Sequence, residues 1–354
     1  MGPGYLDMVK SHLDAILADG SARLGPSPCD MWMSSLDTRT GRYPEDDRRP
    51  PEIPRRHYRA IDAPKGCSLY WDQPSLLAAE ALTAATGAPR YAEAAEAYVR
   101  DFLARCVARN GVFLWGNHYY WDAFDGVIKR FAGEETPRPI DPETEDGSLH
   151  ETRPTPPAWD LLWRVSPEMT AREIRVSGAN SIFDEFTGGF NRHADRKKGC
   201  AFLESGGILM ESLAWLGART GDASLIEMAD KVARFSFGFR NAATGLVENN
   251  PTQDRWDKRA CTTEIGLWGG CLVRAAETAG RFWWIEMAAE AVGAFLRWGY
   301  DEAAGRYFGK VRLSDGGPVR GVESGPADSA TSEKHQPGEY SDPWRPLFPA
   351  HDYP

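Results

Sequence analysis

The chain has 354 residues, 42% hydrophobic and 26% charged, a balance that fits a globular protein and excludes a disordered or collagen-like one. Lysine and arginine number 41 against 51 aspartates and glutamates, so the net charge is −10 and nucleic acid is not an expected partner. No run of about 18 uninterrupted apolar residues occurs, so no membrane-spanning helix is expected, and Met1-Gly2-Pro3-Gly4-Tyr5 does not open a leader of the basic-then-apolar kind.

In chain order, residues 5–19 form a predicted first helix, and residues 20–66 a loop-rich stretch with prolines and the charged run Asp46, Asp47, Arg48, Arg49. Helices are predicted near 74–86 and 90–108. A long insertion, about 110–153, carries Trp115-Gly116-Asn117-His118-Tyr119-Tyr120-Trp121-Asp122 and an acidic, proline-rich segment. A shorter, less regular pair is predicted near 156–180. Further pairs follow at 202–220 with 222–239 and at 262–279 with 281–298. The tail from 309, rich in Gly, Pro and Ser, is expected as a long surface loop. Pro354 is a residue type expected in the first turn of a helix, so either a small element completes the fold or the natural chain is expected to continue.

These elements repeat. Gly87, Gly221 and Gly280 each precede an amphipathic stripe: Tyr91, Ala94, Ala95, Tyr98, Phe102; then Leu225, Met228, Ala229, Val232; then Trp284, Met287, Ala288, Ala291, Phe295. Each stripe is preceded by an apolar helical stretch near a cysteine: Cys67, Cys200, Cys261. A unit of about 60 residues built from two helices and a loop cannot bury its apolar face alone and must stack on its neighbours. The expected fold is all-α, an (α/α)n toroid of helical hairpins forming one catalytic domain over 1–354. A second repeat sits in the turns Asp37–Gly41, Asp184–Gly188, Asn241–Gly245 and Asp301–Gly305. In each, an Asx side chain bonds the backbone ahead and a glycine takes positive φ. Small β-hairpins at one rim are expected after them.

The six cysteines (29, 67, 106, 200, 261, 271) show no CxxC spacing, and are expected as reduced thiols in the cytoplasm, or in the periplasm if an export signal has been removed. Thirteen tryptophans and twelve tyrosines mostly pack a core, and some can stack on sugar faces.

The loops between each turn and the next helix gather Arg, Lys, His, Asn, Tyr and Trp in an acidic chain. They are Arg55-Arg56-His57-Tyr58-Arg59 with Lys65, the Trp115–Trp121 segment, Asn191–Lys198 and Glu248–Arg259. Equivalent loops of a toroid meet at one mouth, and a basic mouth attracts an anionic ligand. A solvated loop face is the plainer explanation for any one of them. Five of the seven histidines (57, 118, 150, 193, 351) fall in or beside such clusters. His118 and His193 stand out because each neighbours an asparagine or arginine and can take a proton near neutrality. No HExxH or Cys/His spacing points to zinc, so no metal or other cofactor is expected. The acidic stretch 141–146 is a weaker calcium alternative. Asp72, Glu204 and Glu264 follow the repeat cysteines at helix starts, where they either favour the helix N-terminus or form the acid pair a glycosidase needs.

Elimination from a uronic acid polymer calls for these residue types. The proton α to the carboxylate is weakly acidic, so the carboxylate must be neutralised, a base must take the proton, and an acid must serve the leaving oxygen. A helical-hairpin toroid with Asn117-His118-Tyr119-Tyr120 and Asn191-Arg192-His193 at its mouth resembles the α/α-barrel polysaccharide lyases that act on alginate or glucuronan. The resemblance implies β-elimination on an acidic oligo- or polysaccharide without a nucleotide cofactor. In that role Asn117 and Arg192 or Asn191 neutralise the carboxylate. His118 or His193 abstracts the proton, and Tyr119 or Tyr120 protonates the leaving oxygen. Trp115, Trp121 and Trp256 stack on sugars, Arg255 or Arg153 anchors a neighbouring acidic unit, and His150, Asn249, Glu204 and Glu264 complete the binding surface. Three alternatives stay open: a glucuronidase-like hydrolase using Glu204, Glu264 or Asp72; a sugar epimerase with two histidine bases; and a glycan-binding protein without turnover.

Overall fold

A glycine in the left-handed region ends each of three 18-residue helices and turns the chain back on itself: Gly87, Gly221 and Gly280, with φ of 72°, 73° and 65°. The computed structural model describes residues 4–23, 25–33, 66–116, 118–130, 137–149, 152, 156–193, 196–252 and 259–319. The chain divides into two compact units, Met1–Gly147 with Pro157–Val176, and Ser148–Pro156 with Ser177–Pro354. The described residues form helical hairpins with small antiparallel strand pairs, the class the periodicity predicts. Among them no helix is long and apolar enough to cross a membrane.

The first unit contains α1 (Tyr5–Asp19), β1 (Gly66–Cys67), α2 (Leu69–Thr86), α3 (Arg90–Arg105), β2 (Tyr119–Asp122), β3 (Val127–Arg130), β4 (Arg138–Pro139) and α4 (Trp159–Val165); α5 (Pro167–Ser181) begins in it. α1 keeps its predicted bounds. α2 starts five residues before the predicted position, because Pro74 reads as a helix start and is instead inside the helix. Proline has no N–H for the carbonyl four residues back. Here the Gln73 side chain fills the gap, its Nε2 donating to the Tyr70 carbonyl at 3.1 Å. α3 turns Tyr91, Ala95, Tyr98 and Phe102 of the predicted stripe inward, together with Val99, while Ala94 is half-buried. The described residues of the 110–153 insertion include β2, β3 and β4, which join β1 in a sheet of order β1-β2-β3-β4, antiparallel throughout. The hairpin turn Asp122–Gly126 is a further Asx turn: Asp122 Oδ1 accepts from Phe124 N and Asp125 N, both at 3.0 Å.

The second unit contains β5 (Ile182–Asp184), β6 (Gly189–Phe190), α6 (Leu203–Thr220), α7 (Ala223–Phe237), β7 (Ala260–Cys261), α8 (Thr262–Ala279), α9 (Trp283–Gly299), β8 (Tyr300–Asp301), β9 (Arg306–Tyr307) and β10 (Lys310–Val311). α6 packs against both α7 and α8, so it is buried on nearly every side: Leu203, Ile208, Leu209, Met210, Leu213 and Leu216 are all inside. α6 and α8 run parallel. Glu204 touches Glu264, a Cβ on Gly207 would meet the Trp268 backbone at 3.0 Å, and Glu211 receives both Arg274 Nε (2.6 Å) and Nη2 (2.8 Å). The Asx turns are as predicted at Asp184, Asn241 and Asp301, each side chain accepting from two backbone N–H groups ahead. Two of them close hairpins, β5–β6 and β8–β9. The turn at Asp37 lies outside the described residues. The predicted loop tail begins otherwise than expected: β10 pairs with β7, Lys310 opposite Cys261.

Gly188 and Gly221 separate two costs. Both have positive φ, 76° and 73°, but a Cβ on Gly221 meets nothing within 4 Å, whereas on Gly188 it would strike the Lys231 backbone. Gly221→Ala should cost about 1–2 kcal/mol for the left-handed backbone alone. Gly188→Ala should cost about 2 kcal/mol more, because helix α7 must move. Urea unfolding midpoints measure this, and equal losses would refute the contact.

Candidate functional site

In the second unit the hairpin β5–β6 delivers Asn191, Arg192 and His193 to the start of α6. Asn191 N donates to the Ser181 carbonyl at 2.8 Å, continuing the hairpin. The Asn191 side chain then ties its own loop: Oδ1 accepts from His193 N at 3.0 Å, and Nδ2 donates to the Lys197 carbonyl at 3.0 Å. Its amide is engaged within the loop and buried, which gives it a structural role in place of the expected contact with substrate. Arg192 turns inward. Its backbone N–H donates to the Cys200 carbonyl at 2.9 Å, its guanidinium lies 3.9 Å from the Phe202 ring centre, and Nη1 sits 3.7 Å from Glu204 Oε1. His193, the next residue, is exposed.

Glu204 and Glu264 lie in the first turns of α6 and α8, each 1% exposed. The Glu204 backbone N–H donates to Glu264 Oε2 at 3.0 Å. Burial first, and then the neighbouring Glu204 carboxyl with which it shares a hydrogen bond, push the Glu264 carboxyl well above the usual carboxylate range. The two acids at these helix starts are neighbours in space, joined through the Glu204 backbone N–H.

The frame around this pair is polar and buried. Asn249 N donates to the Arg259 carbonyl at 2.8 Å, and its own carbonyl receives Leu203 N at 2.9 Å. Asn250 Oδ1 accepts from Ala201 N at 3.0 Å. Thr262 Oγ1 at the start of α8 donates to the Phe308 carbonyl at 2.7 Å. Asn250, Arg259 and Lys310 are buried with Asn249 and were not among the sequence candidates. The Asn249-Asn250 pair directly after a turn was the available signal, since adjacent amides can cap two strands of backbone.

In the first unit the candidate aromatics belong to the core. Trp115 has no exposed surface and sits among Phe113 (5.2 Å between ring centres), Tyr70 (5.4 Å), Trp159 (6.1 Å) and Phe102 (6.3 Å). It packs the interior and offers no face to a sugar, contrary to the expectation. Trp121 is likewise buried, in β2, with the Arg105 guanidinium 5.4 Å from its ring centre. Tyr119 and Tyr120 are neighbours on β2 and point to opposite faces of the sheet, both 5% exposed. Tyr120 packs against Trp71, whose Nε1 donates to the Gly116 carbonyl at 2.9 Å. His118 is partly exposed in the turn before β2. Asn117, His150, Arg153, Arg255 and Trp256 lie outside the described residues, as do Arg55–Arg59 and Lys65.

Asp72 occupies the helix start in this unit. Tyr98 Oη donates to Asp72 Oδ2, and Ser68 N does so at 3.0 Å. Burial raises its carboxyl to about 7 despite those two donors. The acidic stretch 141–146 is engaged within the fold: Asp146 takes Arg109 Nε at 3.0 Å and Nη2 at 2.7 Å, and Asp141 caps its own turn. Among the described residues no group of three His, Cys, Asp or Glu is placed to hold a metal ion. All six cysteines are buried and outside any disulfide, and burial raises the thiols of Cys67, Cys106 and Cys271.

A family model described as periplasmic pectate lyase matches residues 72–205. That span starts at Asp72, includes the segments around His118 and His193, and ends one residue after Glu204. The family is described as periplasmic, which gives no support to a cytoplasmic location. Among solved structures, the chain is similar to a cellobiose 2-epimerase from Bacillus thermoamylovorans (TM-score 0.49, 11% identity, 73% of this chain and 67% of that one). It is also similar to an unsaturated glucuronyl hydrolase specific for heparin (0.46, 10%, 89% and 74%) and a sugar epimerase from a ruminal bacterium (0.46, 14%, 71% and 65%). The chain thus spans just under two thirds of the ruminal epimerase's length.

Asp72 gives a pH signature. The fold keeps its proton up to about 7, while the unfolded chain releases it near 4. Between those values the native state binds more protons, so this contribution to stability is full below about pH 4 and is lost as pH rises through about 7. Asp72→Asn should flatten the fall in melting temperature over that window. Parallel curves for the two proteins would refute the assignment.

Proposed function

We propose that this chain is a polysaccharide lyase that cleaves a uronate-containing polysaccharide by β-elimination, with pectate the first substrate to test. The observation that carries the reading is the family match over 72–205, which takes in the Asn191-Arg192-His193 loop. In the second unit Arg192 neutralises the uronate carboxylate, so that the proton α to it becomes acidic enough to remove. His193, exposed beside Arg192, takes that proton. The electron pair left behind forms a double bond to the neighbouring carbon as its C–O bond breaks, and the leaving oxygen takes up a proton from solvent water or from the protonated His193. Asn117, His118 and Tyr119 or Tyr120 are the further candidates for neutralising the carboxylate, abstracting the proton and protonating the leaving oxygen. Export to the periplasm belongs to the same proposal.

The hydrolase alternative loses ground on geometry. Paired glycosidase carboxyls stand about 5–9.5 Å apart to leave room for the sugar or a water. The Glu204 backbone N–H reaches the Glu264 carboxyl at 3.0 Å, and both residues are 1% exposed, which leaves no such gap between the two helix starts. Epimerisation and binding without turnover predict no new double bond at all.

The test is digestion of pectate, glucuronan and alginate, followed by the absorbance of the 4,5-unsaturated product. Absorbance should rise on at least one, and Arg192→Ala and His193→Ala should each lower kcat/KM by about 10²-fold or more. Arg192→Lys should not restore it, because an ammonium lacks the planar fork. Reducing ends released without absorbance would mean hydrolysis. Full activity of His193→Ala would remove that residue from the role of base.

A further inference from the structure

Arg192 needs a fixed guanidinium to act on a carboxylate, and three contacts in the second unit supply one. Phe202 lies under it at 3.9 Å, and Glu204 Oε1 stands 3.7 Å from Nη1. Glu204 is in turn held from α8: its backbone N–H donates to Glu264 Oε2 at 3.0 Å, which brings the Glu264 carboxyl against the first turn of α6. Both glutamates are 1% exposed, so water does not screen one from the other. Glu264 Oε1 is buried and receives no donor from the protein. Two carboxylates in such contact repel, and one proton between them turns repulsion into a hydrogen bond. The two members are not equivalent. Glu204 faces a guanidinium, which favours its charge. Glu264 lies buried beside Glu204, and both the burial and that neighbour oppose a charge on it.

We propose that Glu264, as a neutral acid, and Glu204, as the carboxylate, form an asymmetric mount that positions Arg192 for the substrate. Neither touches substrate; both are positioning residues acting through Arg192. The mount rests on the reading of Arg192 as the group that neutralises the uronate carboxylate. It also assigns different work to two residues that look alike in sequence. Amide replacement should separate them. Glutamine at 264 still accepts from Glu204 N and still donates to the Glu204 carboxylate. Glutamine at 204 deprives Arg192 of its countercharge.

The experiment compares Glu264→Gln, Glu264→Ala, Glu204→Gln and wild type, with activity expressed per folded molecule and the infrared carboxylic-acid C=O band recorded at neutral pH. Glu264→Ala and Glu204→Gln should each lower kcat by about tenfold or more, and Glu264→Gln should recover most of what the alanine variant loses. Against an Asp72→Asn background, which removes the other raised carboxyl, the band of a protonated carboxyl should vanish on adding Glu264→Gln. Equal loss in the two glutamine variants, or no protonated band in that background, would overturn the asymmetry. Loss of melting temperature with unchanged kcat would reduce the pair to a structural role. If no uronan is cleaved by any form, the function proposed above fails, while the infrared result still decides the protonation of the pair.

Discussion

The contact between Glu204 and Glu264 ties the start of α6 to the start of α8, and much of the second unit is arranged around it. The two helices are 60 residues apart in sequence at that point and share no direct connection. Their parallel packing is built from close approach at Gly207 and the Arg274–Glu211 pair further along. At the helix starts there are backbone N–H groups without helical partners and a positive end of the dipole. A carboxyl there is favourable, two touching carboxyls are not, and the surroundings must resolve the difference. Arg192 on one side and a raised Glu264 on the other do so. Removing one member of a buried charged pair leaves the other uncompensated, at a cost of about 3–5 kcal/mol.

Consequences for the loops follow. The hairpin before α6 is anchored through Asn191, and the segment before α8 through Asn249, Asn250 and Thr262. Asn191, Asn250 and Thr262 do this with a side-chain amide or hydroxyl, satisfying backbone groups that would otherwise be buried without partners, and Asn249 does it with its own backbone. Arg192 is therefore held, 6% exposed, against a rigid support, while His193 beside it is exposed. A fixed cation next to an accessible base is what proton abstraction beside a carboxylate requires.

The helices were legible because their signals are local. Periodic apolar residues followed by Gly87, Gly221 or Gly280 fixed α2, α6 and α8 to within a few residues at their ends. The Asx turns were legible for the same reason. What could not be read was anything decided by a partner far along the chain. Pro74 read as a helix start because the compensating bond from Gln73 depends on a rotamer that sequence does not specify. Trp115 and Trp121 carry the composition of a sugar platform, yet their faces are closed by residues from other elements. Asn191 looks like a ligand-binding amide and is used to tie its own loop. Glu204 and Glu264 were visible as recurring acids at helix starts, but their contact needed the parallel packing of two helices. Asp72, at the corresponding place in the first unit, has Tyr98 as its partner instead.

The most direct measurement is a crystal structure of the protein soaked with a short oligogalacturonate. A uronate carboxylate within hydrogen-bonding distance of the Arg192 guanidinium, with the His193 imidazole facing the carbon next to that carboxylate, is the expected result. An oligosaccharide bound with its carboxylates away from Arg192, or seated on a surface that His193 cannot reach, would contradict it.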